Sequence, residues 1–352
     1  MSKYWSEITK GLVPYVPGEQ PKVQGLIKLN TNENPYPPSP AVIDAVNSFD
    51  KGLLRLYPDP NSDILKQALA DYYAVAKNQV FVGNGSDEVL ALAFMAFFKQ
   101  AKPILFPDIS YSFYPVYCNL FNIKFQQPAL NDEFEIVLDD YVEDNGGIIF
   151  PNPNAPTGRV IGVEQLRNLL LKNTESVLIV DEAYIDFGGE TATALVDQFA
   201  NLLVVQTFSK SRSLAGSRVG FAIGSAELIE GLERVKNSFN SYPLDMLAVA
   251  AAVAALEDAD YFEQIRHKII TSRDWLDAEL KQLRFEVLPS AANFVFISHP
   301  QHDAAQLFAQ LRDKKILVRY FSSARIDQYL RITVGTQQEC EVLITALKEI
   351  LA

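Results

Sequence analysis

The run VLIVDEAY, Val177–Tyr184, decides the architecture. Its first four residues are apolar without alternation, which is how a strand buried on both faces reads. It then stops at two carboxylates, Asp181 and Glu182. An acid at the end of a parallel strand faces the crevice where open α/β sheets bind ligands. A carboxylate there is costly unless a positive group pairs with it, and a protonated heterocyclic nitrogen is such a group. Capping of the following turn by Asp181 is the simpler alternative, and at this level both stay open.

Strands of the same texture are expected at 80–82, 103–106, 147–150, 176–180, 202–206 and 218–223. Helical periodicity separates them at 62–74, 86–99, 163–171 and 226–236. Such alternation predicts a mostly parallel sheet covered on both faces, an α/β fold. Long helical patterns at 244–257 and 259–283 come next. After them strands at 285–288, 294–297, 316–319 and 329–333 alternate with helices at 302–313 and 337–351. That rhythm marks a second, smaller α+β unit. The first 28 residues, with Pro14, Pro17 and Pro21, show no period and read as an arm lying on another part of the molecule. The expected division is therefore 1–28 for the arm, joining the small domain, 29–258 for the large domain and 259–352 for the small one.

Composition narrows the function. The chain has 352 residues, 48% hydrophobic and 21% charged, enough apolar side chain for a sizeable core. A formal charge of −12 with scattered basic residues argues against binding nucleic acid. Cys118 and Cys340 make no disulfide framework or zinc cluster, which suits a reduced, cytoplasmic setting. His267, His299 and His302 have no partner at metal-ligand spacing, and a serine–histidine hydrolase is poorly supported. The N-terminal stretch lacks the apolar centre of a signal peptide, and no apolar run approaches the roughly 20 residues of a membrane span.

Three further segments carry residue types that suit one site. GNGSDE, Gly83–Glu88, joins a strand to a helix, and the free N–H groups of such a helix start suit a phosphate. PNPNAPTG, Pro151–Gly158, follows the strand at 147–150, and its prolines force an irregular, rigid loop at the ligand-binding edge. QTFSKSRSLAGSRVGF, Gln206–Phe221, sets Lys210 at a strand end among hydroxyl groups, with Arg218 eight residues on. A lysine so placed can act as an amine nucleophile. Taken singly, each segment is also compatible with a glycine turn, a plain loop or a solvated lysine.

Taken in order, GNGSDE, NPNAPTG, DEAY, SKSRSLAGSRVGF and RITVGT resemble the fold-type-I pyridoxal-phosphate aminotransferases. More narrowly, they are similar to the histidinol-phosphate aminotransferases. LNTNENP at Leu29–Pro35, RLYPDP at Arg55–Pro60, PDISYSFY at Pro107–Tyr114 and NSYPLD at Asn240–Asp245 extend the likeness over nearly the whole chain. The resemblance implies a large domain with a mostly parallel seven-stranded sheet between helices, plus a small α+β domain. It implies pyridoxal 5'-phosphate as cofactor, held covalently by Lys210, whose freed amine moves the substrate proton. Asp181 would pair with the ring nitrogen, Tyr184 would hydrogen-bond the phenolic oxygen and Tyr111 would stack on the ring. Ser86, Asp87, Thr207, Ser209 and Arg218 would hold the phosphate, with Tyr57 reaching it from the second subunit of a homodimer. Arg331 would grip the substrate phosphate or carboxylate, with Tyr15, Asn30 and Arg319 as further substrate contacts.

One departure stands out. Many members carry Asn immediately before Pro-Thr-Gly, where it contacts the phenolic oxygen; here that position is Ala155 and the nearest asparagine is Asn154. Either Asn154 takes the contact through a shifted loop, or Tyr184 makes it with less help. The implied reaction converts L-histidinol phosphate and 2-oxoglutarate into imidazole-acetol phosphate and glutamate, a step of histidine biosynthesis. Threonine-phosphate decarboxylation and aromatic amino-acid transamination remain open on the same scaffold. A non-catalytic binding module would be expected to lose Lys210 or Asp181, and both are present.

Overall fold

The computed structural model describes residues 2–352. Thirteen strands are present: β1 (Ile27–Lys28), β2 (Val80–Asn84), β3 (Ile104–Leu105), β4 (Phe125–Gln126), β5 (Ile148–Pro151), β6 (Leu178–Asp181), β7 (Leu202–Thr207), β8 (Val219–Gly224), β9 (Glu286–Val287), β10 (Phe294–Ser298), β11 (Ile316–Leu317), β12 (Arg319–Tyr320) and β13 (Tyr329–Thr333). The α-helices are α1 (Glu7–Gly11), α2 (Pro40–Ser48), α3 (Asp63–Tyr73), α4 (Gly85–Ala93), α5 (Tyr114–Phe121), α6 (Val163–Lys172), α7 (Ala226–Phe239), α8 (Met246–Glu257), α9 (Ala259–Gln282), α10 (Ala304–Asp313) and α11 (Gln337–Leu351).

Seven strands form the large sheet in the order β2-β8-β7-β6-β5-β3-β4. A crossover through α6 between β5 and β6, and one through short 3-10 turns at 185–187 and 192–195 between β6 and β7, keep those strands parallel. β7 reaches β8 through a loop with no crossover helix, so β8 runs antiparallel to both β7 and β2. That reversal matters for the site. The start of β8 comes to lie at the same sheet edge as the carboxyl ends of β6 and β7. Lys210 and Arg218, both in the β7–β8 loop, are thereby delivered to the edge that carries Asp181.

The central strands β5 to β8 are buried along their whole length, as their continuous apolar texture requires. One face packs on α3, α6 and α8; the other packs on α4, α7 and a Phe94–Phe98 cluster. Each fully buried Leu, Ile or Phe there contributes about 1.5–3 kcal/mol of transfer free energy. A separate core joins α9, α10, α11, β10 and β13, and includes Leu29. Its sheet is antiparallel, in the order β12-β13-β10-β9. Arm and small unit are tied by parallel pairing of β1 with β11.

Several elements differ from the sequence expectation. α2 follows directly on a proline-rich stretch: Ser39 caps it and Pro40 occupies its first turn, where a missing N–H costs nothing. α5 likewise carries a proline in its first turn, inside an aromatic run without clear period. The helix expected over 86–99 is α4 followed by a π-helical turn, Phe94–Phe98. The strand expected from 218 starts at Val219, because Arg218 takes a left-handed conformation with φ 52°.

Candidate active site

A cleft of about 770 Å³ opens where the carboxyl edge of the large sheet meets the small unit and the arm. Lys210 follows the end of β7, and its Nζ donates to the carbonyl of Thr31 at 3.2 Å. The same amine lies 5.6 Å from the centroid of the Tyr184 ring. Asp181, the last residue of β6, is 4% exposed. It accepts from the Tyr114 hydroxyl at 2.9 Å and from the backbone N–H of Ala183 at 3.3 Å. Burial pushes its pKa up to about 6, against the opposing pull of the Tyr114 hydrogen bond. Among the described residues it has no ion-pair partner within 4.0 Å.

The helix start expected to suit a phosphate is built by close backbone approach. A side chain on Gly220 would meet Ser86 N at 2.2 Å, and one on Gly85 (φ 77°) would meet Arg218 Nη2 at 2.4 Å. Glycine at both positions lets α4 begin against β8. Arg218 donates to Asp87 at 3.0 Å and to Ser209 Oγ at 3.4 Å. Thr207 Oγ1 and Ser209 Oγ lie 3.0 Å apart. Tyr111 lines the cleft with its hydroxyl on Asp87 Oδ1 at 2.8 Å; burial, reinforced by Asp87, holds that phenol well above its ordinary pKa.

At the opposite wall Arg331 on β13 pairs in register with Arg319 on β12. Arg331 Nη2 donates to the carbonyl of Asn30 at 3.0 Å, and the guanidinium sits between Phe294 and Phe321, 5.4 and 5.7 Å from their ring centroids. Among the described residues its buried Nε has no partner, and neither has the buried Oδ1 of Asn30. Burial, with Arg319 nearby, lowers its pKa. Tyr15, from the arm, lines the same wall and packs on Phe113 at 4.9 Å.

Two of the expected residues do not join this group. Asn154 is fully buried within its own loop, its Nδ2 donating to the Ile109 carbonyl and Thr157 Oγ1, both at 3.0 Å, while its Oδ1 has no partner among the described residues. Backbone bonds Gly158 N to Asn154 O and Asn154 N to Arg159 O, both 2.7 Å, close the loop on itself, and Ala155 lines the cleft instead. Tyr57 is 81% exposed and stacked on Tyr242 at 4.8 Å, outside the cleft of its own chain. Conversely, Tyr114, Thr31 and Asn32 touch the central residues and were not singled out from the sequence. Asn32 Nδ2 donates to the Tyr184 oxygen at 3.0 Å.

The donor set suits one kind of ligand. A buried carboxylate without a counter-charge, an amine a short distance away and a cradle of backbone N–H and hydroxyl groups call for a cationic heterocycle carrying an electrophilic carbonyl and a phosphate. No group of three or more His, Cys, Asp or Glu among the described residues could hold a metal.

The family model for aminotransferase class I and II matches residues 24–347. The chain belongs to the class I and II aminotransferases. Within that family it is 62% identical over 352 residues to Histidinol-phosphate aminotransferase 1 of Methylococcus capsulatus, covering 100% of this chain and 99% of the relative. It is 63% identical to the protein of that name in Hydrogenovibrio crunogenus, with coverage of 100% and 99%. Among solved structures, the histidinol-phosphate aminotransferase of Sinorhizobium meliloti, in complex with pyridoxal-5'-phosphate, superposes with a TM-score of 0.90 at 23% identity, over 100% of this chain and 98% of that one. At that identity the likeness speaks for the aminotransferase fold.

Proposed function

We propose that the chain is a pyridoxal-phosphate-dependent aminotransferase acting on L-histidinol phosphate and 2-oxoglutarate. The observation that carries the reading is the pairing of Lys210 with an uncompensated, buried Asp181 at one sheet edge, in a chain about 60% identical over its full length to proteins named for that reaction. Bound pyridoxal phosphate supplies an electron sink for the carbon that bears the substrate's amino group.

Each residue's task follows from its place. Lys210 would anchor the cofactor through its amine, and that amine is the group placed to move a proton at the substrate carbon. Asp181, desolvated and steadied by Tyr114, keeps a proton on the ring nitrogen by charge. Tyr184 donates to the phenolic oxygen, while Tyr111 covers the ring. The α4 N-terminus at Ser86 and Asp87, with Thr207, Ser209 and Arg218, binds the cofactor phosphate. Arg331 and Arg319 receive the substrate phosphate, with Asn30 and Tyr15 shaping that end. Histidinol phosphate has no carboxylate, so the same guanidinium takes phosphate in one half-reaction and the carboxylate of glutamate in the other.

A homodimer completes the reading. Leu53, Leu54, Leu56, Tyr57 and Ile64 form an exposed apolar stretch, and the arm leaves Trp5, Ile8 and Val13 exposed as well. Tyr57, outside its own cleft, would reach the partner's phosphate site. Mixing inactive Lys210→Ala chains with Tyr57→Phe chains should regenerate one unaltered site per hybrid dimer; verified exchange without recovery would assign Tyr57 to its own subunit. The domain division at 28/29 and 258/259 and a cytoplasmic location belong to the same proposal. Among the described residues no helix is long and apolar enough to cross a membrane.

Purified holoenzyme assayed in parallel with histidinol phosphate, threonine phosphate and phenylalanine tests the substrate. Glutamate formed fastest from histidinol phosphate is expected. Release of carbon dioxide from threonine phosphate, with histidinol phosphate ignored, would overturn the assignment and leave the cofactor site standing.

A further inference from the structure

We propose that Asn32 is a positioning residue that fixes the direction of the Tyr184 hydrogen bond, leaving the Tyr184 hydroxyl able only to donate into the cleft. The inference rests on the reading that pyridoxal phosphate binds there. Asn32 is 1% exposed, with a left-handed φ of 56°. Its backbone is held twice: its N–H donates to Thr333 Oγ1 at 2.9 Å, and its carbonyl accepts from Asn293 Nδ2 at 3.1 Å.

The orientation of its amide is then determined. Thr333 is buried, and its hydroxyl proton has one acceptor among the described residues, Asn32 Oδ1 at 3.0 Å. A buried donor left unmet is costly, so the amide oxygen must face Thr333. The amide nitrogen therefore faces Tyr184 and donates to its oxygen at 3.0 Å. With that oxygen accepting from Asn32, the phenol's single proton has no acceptor among the described residues and is free for the cleft. The Thr31–Asn32 pair thus touches both groups at the reacting centre: the carbonyl of 31 accepts from Lys210, and the side chain of 32 orients Tyr184.

Ala155 raises the stakes. Its methyl group donates nothing, and both N–H groups of the Asn154 amide are engaged inside the loop. The phenolic oxygen is left to Tyr184, so the polarity of one bond governs its charge. A donor aimed at that oxygen stabilises its anionic form. With the cofactor bound, such a donor would lower the pH midpoint of the lysine-linked chromophore. The charged groups facing Tyr184 and Lys210 are Asp181 on β6, Arg331 on β13, and Glu33 beside Thr31. A neutral change at Asn32 alters none of them.

The test is the absorbance titration of cofactor-loaded protein. Asn32→Gly keeps the left-handed backbone and removes the amide. It is expected to raise the midpoint by about one pH unit, a tenfold change in the proton equilibrium. Tyr184→Phe should raise it at least as much, and the double variant should match Tyr184→Phe alone. Thr333→Val, which keeps the Asn32 side chain but removes the hydroxyl that accepts its backbone N–H and orients its amide, should raise the midpoint by less and serves if Asn32→Gly does not fold. An unmoved midpoint in these variants, or an Asn32→Gly shift that persists in the Tyr184→Phe background, would overturn the inference. A protein that gains no lysine-linked chromophore at all would instead overturn the functional reading beneath it.

Discussion

The two walls of the cleft are built differently. The wall we assign to the cofactor is a sheet edge: Asp181 ends β6, Lys210 follows β7, and Arg218 precedes β8, all backed by strands with no exposed residue. The substrate wall is assembled from the arm, the 29–33 segment and the small antiparallel sheet, brought together from opposite ends of the chain. The Arg331 donation to Asn30 joins residues 301 apart in sequence. The first wall draws its precision from packing density. The second depends on a few long-range polar bonds, some with orphaned atoms, and is the wall where substrate identity can change without loss of the fold.

Substitutions can break or sharpen that contrast. Lys210→Ala on the cofactor wall should cost at least about 10²–10⁴ in turnover, since covalent attachment and proton transfer go together. Stopped-flow and steady-state assays check it, and residual activity near the parent's would refute the role. Arg331→Lys on the substrate wall should weaken histidinol phosphate by about 1.5–3 kcal/mol if one charge-assisted hydrogen bond is lost. Binding of histidinol, which has no phosphate, should fall little further. Equal losses for both ligands would mean that Arg331 supports the wall without touching the phosphate.

Asp181 offers a test of the cofactor wall without catalysis. Its folded-state pKa of about 6 stands above the ordinary 3.8 because burial disfavours the anion. A raised carboxyl pKa contributes stability at low pH that is lost as pH rises through the folded value. Cofactor-free Asp181→Asn should therefore unfold less readily than the cofactor-free parent at pH 8, by up to about 3 kcal/mol for two pKa units. The gain should shrink by about half at pH 5. Denaturant titrations at both pH values read this, and a gain that is absent or independent of pH would contradict the burial argument. The smallest effect is expected at the cleft mouth. There Arg325 bonds Asp108 at 2.7 Å and the Leu130 carbonyl at 2.8 Å, linking the small unit to the large one. The pair is partly exposed, so Arg325→Ala should cost about 1 kcal/mol or less, seen as a modest rise in KM at nearly constant kcat.

That Ser86, Asp181, Lys210 and Arg218 could share one cleft was legible because they sit in short contiguous motifs whose backbone chemistry is local: a strand stop, a glycine turn, a lysine among hydroxyls. The alternation of strands and helices predicts the mostly parallel sheet; its seven strands were implied by the family resemblance. What the sequence hid was geometry created by distant contact. Tyr114 lies in an aromatic run with nothing to mark its hydroxyl for Asp181. Asn32 was visible within LNTNENP, but its bond to Tyr184 depends on Thr333, 301 residues away. The sequence leaves open whether Asn154 or Tyr184 alone meets the phenolic oxygen; the loop's own hydrogen bonds turn the Asn154 amide nitrogen inward, which favours the second alternative. α2 and α5 leave little trace in the sequence because proline, a helix breaker in the interior, is welcome in a first turn.

Everything above turns on Lys210 as the covalent anchor at the carboxyl edge. Borohydride reduction of the cofactor-loaded protein, followed by proteolysis and mass spectrometry of the labelled peptide, tests it directly. The expected result is a single stable adduct on Lys210, with loss of the yellow colour and of activity in step. An adduct on any other lysine, or full activity after reduction, would contradict it.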